Sequence, residues 1–140
     1  MKHNSKTILE LIFELKSKCT EIDTEIMKKM NLSQSELQFF TILKQCNNIT
    51  SSELGKKMNL SPSRVSRIVD RLVSNDFLER ATSSIDRRAI TLKLTFKGDN
   101  IAKEIDNVRN SCNDLIEDAL TSEELEAFSS SLNKIVEVNP

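Results

Sequence analysis

A chain of 140 residues, 38% of them hydrophobic, is long enough to build one hydrophobic core and too short for two independent ones. Two glycines, two prolines and no Trp or Tyr exclude a loop-rich or all-β fold and point to a mainly α chain. The net charge of −1 conceals a polarity: Thr50 to Lys97 carries ten Lys/Arg against five Asp/Glu, Met1 to Ile49 seven against six, and Gly98 to Pro140 three against ten, so a basic centre suited to phosphate precedes an acidic end.

After a polar tip, Met1 to Ser5, the first helix is expected over about Lys6 to Met30. Ile8, Ile12, Leu15, Cys19, Ile22 and Ile26 step by four and three, a narrow seam that packs against other long helices. Asn31-Leu32-Ser33 breaks it. Ser33 with Glu36 has the capping-box spacing for a second helix, which bears Leu37, Phe40 and Leu43 and ends near Gln45 to Asn48. Thr50 with Glu53 repeats the device for a short third helix, Ser51 to about Met58, with Asn59 suited to a left-handed end.

Ser61 and Pro62 then mark the start of a fourth helix: a serine in the cap position, and a proline at the first helical position, where its missing N–H is no loss. Val65, Ile68, Val69 and Leu72 recur at i, i+3, i+4 and i+7, one face for a core. The other face carries Ser63, Arg64, Ser66, Arg67 and Arg71. Short hydroxyls permit close approach, and guanidiniums fork onto guanine edges or phosphates. A short helix, a tight turn and a longer helix form the helix-turn-helix layout.

Beyond Asn75-Asp76 the period changes. Phe77 to Ala81 and Ala89 to Thr95 are expected as strands; in the second, Ile90, Leu92 and Leu94 form the buried side and Thr91, Lys93 and Thr95 the wet one. The polar segment between them ends in Asp86, Arg87 and Arg88, so the hairpin is a wing. Thr95 is placed to cap a helix over about Phe96 to Ala119, where Ile101, Ile105, Val108, Cys112, Leu115 and Ala119 form a second seam. Thr121 with Glu124 caps the last helix, whose inner face is Leu125, Phe128, Leu132 and Ile135. Seams at both ends of the chain suggest a dimer built from its terminal helices.

The order of elements, with Leu60-Ser-x-Ser-x-Val-Ser-x-x-Val-Asp-Arg-Leu-Val73, Phe77-Leu-Glu-Arg80, Asp86-Arg-Arg88 and Leu92-x-Leu-Thr-x-x-Gly98, resembles the MarR family of winged helix-turn-helix regulators over nearly the whole chain. The resemblance implies one MarR-type domain over 1–140, with about 1–32 and 98–140 as dimerisation helices and about 33–97 as the DNA-binding lobe. It implies a homodimer whose recognition helices enter successive major grooves, with Arg88 reaching into the minor groove and Asp86 as its brace. Many members of the family bind small aromatic or phenolic acids, and such an effector is a partner implied in the same way. Where many relatives have Gly before the first wing strand, this chain has Asp76, which tolerates a left-handed turn better than most residues.

On these grounds Ser63, Arg64, Ser66 and Arg67 are the candidates for the major groove, and Arg88 with Arg87 for the wing. Lys56, Lys57 and Arg71 are candidates for phosphate contacts or internal ion pairs, with Asp70 and Asp86 as the carboxylates placed to hold Arg71. The function expected is sequence-specific DNA binding by a dimeric regulator, a repressor acting on a pseudo-palindromic operator. Two alternatives are a winged-helix protein-interaction module without DNA binding and a redox sensor using Cys19. Against the second, Cys19 and Cys112 lie on apolar seams, where an inert thiol is the ordinary outcome.

No disulfide framework or zinc clip is expected from Cys19, Cys46 and Cys112, which are widely spaced and contain no C-x-x-C; the only histidine, His3, is near the terminus. No cofactor is expected. There is neither a glycine-rich phosphate loop nor a nucleophile with a histidine base, so the chain is not expected to be an enzyme. No apolar run approaches the roughly 18 to 20 residues that cross a bilayer, and the N-terminus lacks a signal-peptide layout, so a cytoplasmic protein is expected.

Overall fold

The computed structural model describes residues 5–46, 48–82, 85 and 89–138. It contains helices α1 (Ile8–Met30) and α2 (Gln34–Gln45), strand β1 (Ile49–Thr50), helices α3 (Ser51–Met58) and α4 (Pro62–Ser74), strands β2 (Leu78–Thr82) and β3 (Ile90–Leu94), and helices α5 (Phe96–Asp118) and α6 (Ser122–Glu137). The chain forms two compact units, residues 1–105 and 106–140, with the boundary inside α5. No described helix is long and apolar enough to cross a membrane.

Local chemistry sets the element ends. Four helices open on full capping boxes, Thr7 with Glu10, Ser33 with Glu36, Thr50 with Glu53 and Thr121 with Glu124; the first of these was not anticipated. Asn31 and Asn59 close α1 and α3 in the left-handed conformation, both at φ 53°. Asp76 takes φ 60° ahead of β2, as expected for the residue that replaces glycine there.

The core of the first unit joins α2, α3, α4 and the sheet. Phe39, Phe40, Leu54, Val65, Val69, Leu72 and Leu92 are all fully enclosed, and Ile26 of α1 and Ile105 of α5 are buried too. Burying one such aliphatic or aromatic side chain stabilises the fold by about 1.5–3 kcal/mol. The Phe40 and Phe77 rings meet edge to face at 6.1 Å, fixing the turn after α4 against α2.

The sheet is antiparallel in the order β1-β3-β2, with Leu78 opposite Leu94, Arg80 opposite Leu92, and Ile49 also opposite Leu92. Strand β1 was not anticipated: two residues carry no periodicity, and Thr50 also caps α3. In β3 the expected buried side holds only in part. Leu92 is buried and Leu94 half-buried, but Ile90 is 51% exposed because it pairs with Thr82 at the end of the ladder, beyond the helices that cover Leu92.

In the second unit α6 fully buries none of its residues: of the expected inner face, Leu125 and Leu132 are half-buried, and Phe128 and Ile135 are exposed. The first seam behaves alike along α1: Ile26 is buried, while Ile8, Ile12, Leu15 and Cys19 are exposed.

Candidate nucleic-acid interface

Helix α4 starts where the sequence places it. The Ser61 side chain accepts the Arg64 backbone N–H at 3.4 Å, and Pro62 occupies the first turn. Helix α3 packs closely on α4 because Gly55 has no side chain: a Cβ there would lie 3.1 Å from Val65 Cγ2 and 3.4 Å from the Leu60 carbonyl oxygen. The same residue accepts the Leu60 N–H at 2.9 Å through its carbonyl, so the turn of the helix-turn-helix folds back onto Gly55.

With Val65, Val69 and Leu72 buried, geometry turns Ser63, Arg64, Ser66 and Arg67 outward, and all four are exposed. Among the described residues, neither Arg64 nor Arg67 has a carboxylate partner. Lys56 and Lys57, in the last turn of α3, are also exposed. A groove of about 860 Å³ runs between α3, α4 and the two hairpin strands, with Lys56, Ser61, Ser66, Arg80 and Ile90 among its lining residues. Asp86, Arg87 and Arg88, the expected wing contacts, lie outside the described residues, as does His3.

Two adjacent residues hold α4 from opposite sides. Asp70 pairs with Arg80 of β2, joining the helix to the first strand of the hairpin. Arg71 Nε lies 3.0 Å from Glu36 Oε1, joining it to α2. Asp70, then, holds Arg80 rather than Arg71, and the partner of Arg71 is a carboxylate 35 positions earlier in the chain, Glu36. From the sequence Glu36 was read only as the cap of α2, and Arg80 only as part of a strand motif. The signal for Glu36 was absorbed by its capping box, and that for Arg80 lay only in its place in a strand.

The far end of α4 is locked as well. Thr95 Oγ1 donates to the Asp76 carbonyl at 2.5 Å and accepts the Gly98 N–H at 3.0 Å, capping α5 as the sequence suggests. Lys97 Nζ donates to the Asn75 carbonyl at 3.1 Å and sits 4.9 Å from the centre of the Phe77 ring. Gly98 permits this approach, since a Cβ would fall 1.9 Å from the Phe77 carbonyl oxygen. On the other side of the site, the Thr50 N–H and hydroxyl hold the Glu53 carboxyl below its ordinary range, which keeps the α3 cap charged.

Cys46 and Cys112 are half-buried and Cys19 is exposed, so the seams do not enclose these thiols within the single chain. Among the described residues no group of three or more His, Cys, Asp or Glu is placed to hold a metal ion.

A basic, exposed helix face behind a helix-turn-helix, with a hairpin following, coincides with a match of residues 32–90 to the model of the MarR family. Over these residues, under half of the chain, it is similar to the MarR family of transcriptional regulators. It is 32% identical over 81 residues to the HTH-type transcriptional repressor MdtR of Bacillus subtilis, a match spanning 58% of this chain and 52% of the repressor, or about half its length. Among solved structures, YusO of Bacillus subtilis superposes with a TM-score of 0.72 at 26% identity, covering 96% of this chain and all of that one. The DNA complex of MepR from Staphylococcus aureus gives a TM-score of 0.73 at 16% identity over 90% of this chain and 95% of MepR, a likeness of fold. The mainly helical architecture with a small antiparallel sheet is that of the winged-helix proteins of the MarR family.

Proposed function

We propose that this chain is a sequence-specific DNA-binding repressor that acts as a homodimer on a pseudo-palindromic operator, with residues 33–97 as the reading lobe and residues 1–32 and 98–140 as the dimerisation helices. The observation that carries the reading is the outward face of α4, where Arg64 and Arg67 stand exposed beside Ser63 and Ser66 with no carboxylate partner among the described residues. Arginine forks of this kind match the acceptor pair on a guanine edge in the major groove. Lys56 and Lys57 supply phosphate contacts that set register without reading sequence. Arg88, with Arg87 beside it and Asp86 as its brace, reads the width of the minor groove from the wing tip.

Dimerisation follows from the uncovered seams, since an apolar stripe left in water at both ends of the chain is relieved by a twofold copy. Two α4 helices in such a dimer reach half-sites about one helical turn apart. Repression then needs only occupancy of the operator. An aromatic or phenolic acid would release it by binding better to a dimer whose two reading helices are wrongly spaced. The setting of this activity is the cytoplasm.

The test is a gel shift on the DNA upstream of the chain's own gene at two salt concentrations, with Arg88→Ala beside the wild type. Binding that weakens steeply with salt, and is lost in the variant while the dimer survives, is the expected result. Equal shifts by both proteins remove Arg88 from the site. A protein that shifts no DNA at either salt concentration is instead the interaction module that keeps the fold without the activity.

A further inference from the structure

Glu36 is the one buried charged residue among those described, and its two oxygens do different work. Oε2 accepts the Ser33 N–H at 2.8 Å, closing the cap of α2, while Oε1 meets Arg71 Nε at 3.0 Å. The Glu36 side chain is 3% exposed and that of Arg71 is 55% exposed, so the pair has a buried root and a solvent-facing end. A guanidinium carries five N–H donors, and Nε is the atom of Arg71 that lies 3.0 Å from the Glu36 carboxylate. Among the described residues, no carboxylate other than Glu36 pairs with Arg71. Arg71 also sits in the last turn of α4, on the helix that carries Arg64 and Arg67.

We infer that Glu36 is a positioning residue for phosphate binding: it fixes Arg71 through Nε and leaves the terminal fork preset for a DNA backbone phosphate. The inference rests on the DNA-binding reading above. An unpaired arginine on a helix surface samples many rotamers and must lose them on contact; one anchored at Nε has lost most of them during folding. The anchor also ties the register of α4 to α2, so the phosphate contact and the base-reading side chains move as one body. Lysine in place of Arg71 would not serve, because one ammonium offers no separate edge for carboxylate and phosphate.

The experiment measures operator affinity against salt for the full-length wild type, Glu36→Gln, Arg71→Ala, Arg71→Lys and the double variant Glu36→Gln/Arg71→Ala, with thermal unfolding of each. Glutamine at 36 still caps α2 through its oxygen but turns an amide donor towards Arg71. Affinity should fall about threefold to tenfold in Glu36→Gln, the range expected when a preset side chain is freed. The salt slope should stay as in wild type, because the cation is still present. Arg71→Ala should lower the slope by about 0.9, one phosphate's worth, and weaken operator and random DNA alike. The double variant should bind no worse than Arg71→Ala, as both changes remove one contact.

Arg71→Lys keeps a cation beside Glu36 if the alanine variant fails to fold, and should show the same loss of slope. Wild-type affinity in Glu36→Gln, or an unchanged slope in the Arg71 variants, overturns the inference and makes the pair a structural tie that shifts unfolding temperature alone. A wild type with no salt-dependent binding overturns the DNA reading itself, a result distinct from either.

Discussion

In α4 the inward stripe of Val65, Val69 and Leu72 is at most 2% exposed, whereas in α6 the comparable stripe contains no buried residue and leaves Phe128 38% and Ile135 50% exposed. Both helices have caps, outward charges and the same spacing of apolar positions. The difference lies in what surrounds them: α4 meets α3, α2 and β2, while the stripe of α6 is only half-covered at Leu125 and Leu132. Periodicity reports that a face must be covered and is silent on which molecule covers it. The stripe of α4 is therefore covered by neighbours in the first unit, and in the proposed dimer a second copy would complete the cover of the terminal helices.

The largest effect expected from breaking this contrast is at the seams. Ile12→Glu together with Leu115→Glu places carboxylates on two exposed apolar positions that the proposed dimer covers. Sedimentation should turn from dimer to monomer, and operator affinity should fall about 100-fold or more as the second half-site loses its effective concentration. Helical content should hardly change, since neither position is enclosed within the chain. A variant that remains dimeric would move the interface away from these seams.

The opposite variant attacks the lobe and spares the seams. Gly98→Ala drives a methyl group into the Phe77 carbonyl, backbone against backbone, with no flexible side chain to yield. A loss of about 3 kcal/mol or more in urea unfolding is expected, at the upper end for overpacking. Gly55→Ala is the control: its nearest neighbour is a side-chain methyl at 3.1 Å rather than backbone at 1.9 Å, so the loss should be clearly smaller. Equal losses would mean that the junction of β2 with α5 is as compliant as that of α3 with α4.

Within the lobe, removing a reading side chain should separate function from stability. Arg64→Ala and Arg67→Ala are each expected to cost about 1–3 kcal/mol of operator binding and to relax preference at one base position. Unfolding temperature should stay within a degree or two, about the effect of a neutral surface change. A quantitative competition shift against operators with single substitutions checks this, and an unaltered preference would reassign the residue to phosphate.

Much of the fold was legible because its signals are local. Ser33 and Glu36, Thr50 and Glu53, Ser61 and Pro62, and Thr121 and Glu124 all lie within four positions of one another and fix four helix starts. Asn59 and Asp76 declared their left-handed turns through the few residue types that tolerate them. What was not legible depends on contacts distant in sequence. Glu36 reaches Arg71, Asp70 reaches Arg80, and Gly98 makes room for Phe77; no spacing rule connects such pairs. Ile90 was misjudged for a related reason: alternation along β3 is regular, but the cover over it ends after Leu92.

The smallest predicted effect tests the local signals directly. The Thr50 hydroxyl accepts the Glu53 N–H at 3.2 Å, and the Glu53 carboxylate accepts the Thr50 N–H at 2.9 Å. Thr50→Ala should cost about 1 kcal/mol at pH 7, the usual value of an N-cap. Because the cap holds the Glu53 carboxyl below its ordinary range in the folded chain, the carboxylate's contribution is present above the unfolded value and disappears as pH falls through the depressed one. The hydroxyl contributes to that depression, so the difference between wild type and Thr50→Ala should narrow on acidification below the ordinary carboxylate range. Parallel unfolding curves at neutral and acid pH check it. A gap that stays constant would mean that the two halves of the box act independently, and that the carboxylate is held by the backbone N–H alone.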